Sequence, residues 1–255
     1  MQLRLIQLAC SFSILPNLFA ADLLVVEETL SMTSEQIPIQ KGMTSLVDIV
    51  TDISYRENME QSDYPDFIEM KAVLEETAME FGKAKKNAGV PWSWQSLPPV
   101  LCNVVLDKYP NVTEVSIALV IAPNYKMPFS PTVASEMIRE EKKFPVVNSV
   151  KIPIEVFGIE HQGPNVIDLV TTLFLKDGAS TEELPRFNTI RDRLITGMEE
   201  YPIESDYWET LIKALSADLL SNYPSFDRIE MFLNVHPTST LTYPHEVTCV
   251  TIRKK

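Results

Sequence analysis

Between residues 151 and 255 the spacing of apolar positions changes twice, and each stretch predicts an element. KIPIEVFGI (151–159) and VIDLVTTLFL (166–175) alternate or run apolar with many β-branched residues, which is the pattern of strands. RFNTIRDRLITGMEEY (186–201) then places Phe187, Ile190, Leu194 and Met198 three and four apart. DYWETLIKALSADLLSNY (206–223) does the same with Trp208, Leu211, Leu215 and Leu219. Two amphipathic helices are expected, with Asp206 as N-cap of the second and Glu209 three residues on. DRIEMFLNV (227–235) and EVTCVTIRK (246–254) return to alternation. The order is strand, strand, helix, helix, strand, strand.

The first half of the chain carries the same order. SLVDIVTDISY (45–55) matches NVIDLVTTLFL (165–175), with Asp48 and Asp168 120 positions apart, as are Thr51 and Thr171. The offset of 120 continues through Pro65 and Pro185, Phe67 and Phe187, and Leu74 and Leu194. After a length change it becomes 114, pairing Trp94 with Trp208, Tyr109 with Tyr223, and TVASEMIR (132–139) with EVTCVTIR (246–253). A tandem duplication follows, with units at 22–143 and 144–255 behind an extension of residues 1–21. Each unit is expected to form a four-stranded antiparallel sheet with both helices on one face, since the helical stripes need cover and adjacent strands pair. Open sheet edges are templates for further copies, so closure into a ring or barrel of several chains is expected.

Composition narrows the function. The 255 residues are 45% hydrophobic and 22% charged, which is globular, and no apolar run reaches the length that spans a bilayer. A net charge of −13 argues against nucleic-acid and anionic-membrane partners and leaves a near-neutral small molecule. Cys10, Cys102 and Cys249 have no paired spacing, and His161, His236 and His245 fall on separate segments, so no disulfide framework or metal site is expected. Residues 1–21 outline a signal peptide, but Pro16 breaks the apolar run and Leu18 and Phe19 stand where small residues belong. The location read is cytoplasmic, with secretion or organelle targeting as the alternative.

The run WETLIKALSADLLSNYPSFDRIEMFLNVHP, with a strand ending TIRKK, resembles the second half of dihydroneopterin aldolase. VDIVTDISY through VLDKYPNVTEVSIALVIAP resembles the same family again, and DLLVVEETL from Asp22 suits its first strand. That family belongs to the tunnelling fold, so the resemblance implies an α+β protein of tandem tunnelling-fold units with two helices between strands 2 and 3. It also implies retro-aldol cleavage of 7,8-dihydroneopterin in folate metabolism, a lyase reaction needing neither metal nor other cofactor.

Site residues carry over unevenly. Glu209, with Leu211 and Tyr223 at the family spacing, is the candidate for holding the pterin edge, because a carboxylate accepts two adjacent N–H donors; Gln95 replaces it in the first copy. The family's general-base Lys precedes a Pro, and here that place holds Ala122 or His236, with Val235 the alternative in register. His236 is therefore the candidate acid–base group. Phe67 and Phe187 stand where the family has an assisting Tyr, with Tyr64 the possible substitute. Glu35, five residues before Gln40, keeps a further binding position. The alternative reading is a catalytically silent pterin- or purine-binding homologue, or an assembly partner. Urate oxidase, another tunnelling-fold branch built of paired units, is disfavoured because its expected Lys, Thr and Arg constellation is not found.

Overall fold

The computed structural model describes residues 29–39, 46–56, 59, 61–88, 93–139, 146–161, 163–179, 184–201, 207–238, 242 and 244–254. Its elements are β1 (Thr29–Ile37), β2 (Val47–Tyr55), α1 (Phe67–Ala88), α2 (Leu97–Lys108), β3 (Val112–Ile121), β4 (Thr132–Ile138), β5 (Val146–Glu160), β6 (Pro164–Leu175), α3 (Phe187–Glu199), α4 (Trp208–Asn222), β7 (Phe226–Val235) and β8 (His245–Ile252). The expected extension at 1–21, the strand start at Asp22, Gln40 and the Asp206 cap lie outside the described residues. At the start of α4 the N-cap position is Tyr207, which makes no side-chain cap bond.

The expectation of two tunnelling-fold units, each with its own four-stranded sheet, is corrected. All eight strands form one antiparallel sheet in the order β1 to β8, and β4 pairs with β5 from Thr132–Lys151 to Met137–Val146. The physical reason is the short connection between Ile138 and Val146, which favours antiparallel neighbours. Pairing β4 with β5 also satisfies backbone groups that two separate sheets would leave as open edges.

One face of this sheet is continuous core. The register Ser34–Ile49–Leu119–Val133–Val150–Leu173–Ile229–Thr251 crosses all eight strands. Helices α2 and α4 cover this face, α2 against β3 and β4, α4 against β7 and β8. Their buried residues include Leu101, Val105, Leu211, Leu215 and Leu219, so the three-and-four spacing is the stripe that docks. Arg139 and Arg253, 114 positions apart, close these helices alike. The Arg139 guanidinium donates to the carbonyls of Leu106, Tyr109 and Val112, and that of Arg253 to Leu220 and Phe226, so each ties the end of its helix to the start of the following strand.

The opposite face has no helix on it among the described residues. There the alternate residues of β6 to β8, among them Asp168, Val170, Thr172, Phe232, Asn234 and Val250, are half-buried or exposed. The repeated Asp-aliphatic-Val-Thr run is thereby explained, because residues three apart on a strand point to opposite faces. Asp48 and Asp168 look out from the open face, whereas Thr51 and Thr171 are buried under the helices.

Candidate functional site

Asp is rare within strands, so something must hold Asp168 at the start of β6. A β-bulge does so. Strand β5 shifts register between Ile154 and Phe157, and Val156 takes the left-handed conformation at φ 50°. Its N–H is thereby turned out of the ladder and donates to Asp168 Oδ1 at 2.8 Å. Val156 is 74% exposed, so packing does not account for a β-branched residue in that conformation. Strand β1 repeats the device 120 residues earlier, where Gln36 at φ 55° donates to Asp48 Oδ1 at 2.8 Å.

The two bulge-and-aspartate arrangements differ in what meets the carboxylate. His236 follows the last residue of β7, anchored by its N–H to the Val166 carbonyl at 2.8 Å, and its Nε2 lies 2.8 Å from Asp168 Oδ2. Asn234, directly across from Asp168 in the β6–β7 ladder, gives the carboxylate a further side-chain hydrogen bond. The Asn234 Oδ1 is buried and has no donor among the described residues. At Asp48, Ala122 is tied in the same way to the Leu46 carbonyl, and Val120 lies across from the aspartate. The chain thus has one Asp–Asn–His group and one Asp–Val–Ala counterpart.

The Val156 N–H, foremost, and then His236 hold the Asp168 carboxyl below the usual carboxylate range. Asp168 is therefore an anion at neutral pH, and the side chains of His236 and Asp168 are 38% and 31% exposed. An oriented, half-exposed imidazole backed by a carboxylate is equipped to take a proton from a bound molecule. Beside it, Phe232 pairs with Val170 one step along the same face, an apolar platform against which a flat ring can lie.

The other expected site residues lie elsewhere. Val235, the alternative to His236, is buried beneath the helices. Glu209 is exposed in the first turn of α4, whose body covers the opposite face from His236. The start of α4 is fixed by His161, whose buried ring sits edge-on to Trp208 at 4.5 Å and to Tyr201 at 5.5 Å. Neither His161 ring nitrogen has a partner among the described residues. Tyr64 packs edge-on against Tyr55 at the far end of β2, 5.3 Å between ring centres. Phe67 opens α1 at that same end, half exposed, and Phe187 is buried at the start of α3. By strand register the Tyr55 end, with Tyr64 and Phe67, is opposite the end that carries Asp168, whereas the start of α3 lies beside the β3–β4 hairpin, where the Asn188 side chain donates to the Lys126 carbonyl at 2.8 Å. Glu35 is exposed on β1, next to Gln36. A single chain thus brings together Asp168, Asn234 and His236, and leaves Glu209, Tyr64, Phe67, Phe187 and Glu35 apart from them. Among the described residues no three His, Cys, Asp or Glu side chains gather into a possible metal site.

No family model and no curated protein matches the chain. Solved structures do. A uricase from Bacillus fastidious superposes with a TM-score of 0.60 at 11% identity, covering 81% of this chain and 82% of that one. Urate oxidase from Bacillus subtilis 168 gives 0.59 at 10%, covering 82% and 86%, and that of Bacillus sp. TB-90 gives 0.59 at 12%, covering 82% and 88%. The fold is that of urate oxidases.

This likeness overturns the resemblance to dihydroneopterin aldolase, and with it the pterin cleavage, the lyase class and the place in folate metabolism. The urate oxidase branch, set aside for want of a Lys, Thr and Arg constellation, supplies solved structures whose architecture superposes on about four-fifths of this chain. The residues that suggested the aldolase serve the fold here. Leu211 is core, and the Tyr223 N–H closes the last turn of α4 on Leu219.

Proposed function

We propose that the chain binds a flat purine-type heterocycle of the urate class on the open face of its sheet, with His236 as the proton acceptor. The observation that carries this reading is the Asp168–Asn234–His236 group, oriented on the uncovered face of a sheet that matches urate oxidases over four-fifths of its length. A purine-type ring offers an apolar π-face to Phe232 and an acidic ring N–H group to the imidazole. Proton removal leaves an anion on the ring and an imidazolium between it and Asp168, so the net charge of the group is unchanged and the new ring charge is offset by the new cation.

The two sheet edges fit the same picture. Neither β1 nor β8 has a second strand partner among the described residues, and Val250 and Ile252 on β8 are exposed beside the open face. Further copies of the chain joined through these edges would close the sheet and shield the site from water. Among the described residues no helix is long and apolar enough to cross a membrane.

The test is to follow loss of urate in air-saturated buffer with purified protein, and in parallel to measure urate and xanthine binding by calorimetry. Turnover that falls at least about a hundredfold in His236→Gln supports the proposal. Binding without turnover reduces it to a purine-binding protein. Absence of both removes it.

A further inference from the structure

We infer that the left-handed bulge at Val156 is a positioning device for His236. It fixes Asp168 so that the neutral imidazole carries its proton on Nε2, and Nδ1 is the atom that accepts a proton on the open face. This rests on the reading of His236 as proton acceptor and adds which atom works and what holds it.

The chain of contacts runs from backbone to ring. Val156 donates to Asp168 Oδ1 and His236 Nε2 lies at Oδ2, so the two oxygens have separate duties. An ionised carboxylate only accepts, and Asp168 is kept ionised by the Val156 N–H foremost, so the nitrogen facing it must be the one bearing hydrogen. Nδ1 is left as the lone-pair nitrogen. When it takes a proton, the resulting imidazolium keeps its Nε2–H on Asp168, and no atom of the pair has to move.

The Asp48 arrangement shows which part of this device occurs without a histidine. There the same bulge, at Gln36, holds Asp48 by the same bond, while Val120 and Ala122 occupy the places of Asn234 and His236. The bulge and its aspartate thus occur twice in this chain, once without a histidine. What the Asp168 arrangement adds is the Asn234 amide on the carboxylate and the His236 ring at Oδ2. Val156 retains a strained conformation for a side chain that packs little, consistent with a backbone whose geometry is used.

Asp168→Asn gives a test with an unusual sign. The Val156 N–H requires an acceptor, so the amide introduced by this substitution must turn its oxygen to Val156 and its NH2 to His236. Facing a donor, Nε2 must become the acceptor, and the imidazole proton moves to Nδ1. Histidine-labelled 15N NMR of the full-length protein, at a pH where His236 is neutral, reads this directly. In the unaltered chain the His236 pattern is that of Nε2–H, in Asp168→Asn it is that of Nδ1–H, and in Val156→Gly, which keeps the N–H, it stays Nε2–H. An Nδ1–H pattern in the unaltered chain overturns the inference whether or not the Asn variant folds. An Asp168→Asn protein with a dispersed backbone spectrum that retains Nε2–H overturns it too. These spectra need no ligand, so failure to bind or consume urate leaves this result standing, and an unexpected tautomer leaves the urate reading to its own assay.

Discussion

Replacing Val156 by Gly should make the protein more stable, against the usual effect of a valine-to-glycine change in a strand. The left-handed conformation costs an L-residue about 1 to 2 kcal/mol, and a β-branched side chain lies at the upper end. Relief of that strain is opposed by the greater freedom of glycine in the unfolded chain, about 0.5 to 1 kcal/mol. Burial adds little to the opposing side, because Val156 is 74% exposed. The net expectation is a gain of about 1 kcal/mol, or a rise in Tm of about 2 to 4 °C for a chain of this size. Gln36→Gly is the internal control. Its φ of 55° is nearly the same but its side chain is unbranched, so its gain should be smaller. Urea or thermal unfolding by circular dichroism measures both. A Val156→Gly protein destabilised by more than about 1 kcal/mol would show that the bulge is not strained, and the argument that its geometry is kept for use would lose its basis.

Three further outcomes follow from the same structure. Thr51 and Thr171 bury hydroxyls that have no partner among the described residues, so Thr171→Val should stabilise by roughly 1 kcal/mol in chemical denaturation. Gly82→Ala should be severely destabilising, because its Cβ would lie 2.2 Å from the backbone oxygen of Ile39, whereas Gly197→Ala meets only the Leu215 Cδ2 at 2.7 Å and should change Tm little. The folded-state pKa of Asp168 is depressed, so its contribution is present above the unfolded value of about 3.9 and is lost as pH falls through the folded one. In an acid unfolding series Asp168→Asn should therefore remove part of the loss of stability below about pH 4, leaving a shallower acid limb.

Much of the local structure was legible from spacing. The helices expected over 186–201 and 206–223 are α3 and α4, and the strands over 166–175 and 227–235 are β6 and β7, because periodicity reports which face is buried. The joining of β4 to β5 was not legible, since which edge a strand pairs with depends on residues far from it. The site was only half visible. His236 stood out by its place before Pro237, and Asp168 by its repetition, but their contact spans 68 residues and no local pattern announces it. One signal was available. An aspartate inside an apolar strand in both copies needs a donor, and a bulge on the neighbouring strand is a natural supplier. The resemblance to the aldolase failed for a related reason, since the Glu209–Leu211–Tyr223 spacing is also what an ordinary amphipathic helix with an acidic first turn and a Tyr at its C-cap displays.

The most direct test of a purine-class ligand at this site is to titrate urate into 15N-labelled protein and follow the His236 ring and the Asn234 side-chain amide together. Both should shift along one saturable curve, with Asp48→Asn in the first copy leaving that curve unchanged. Saturable binding that moves neither His236 nor Asn234 would place the ligand elsewhere and contradict the account.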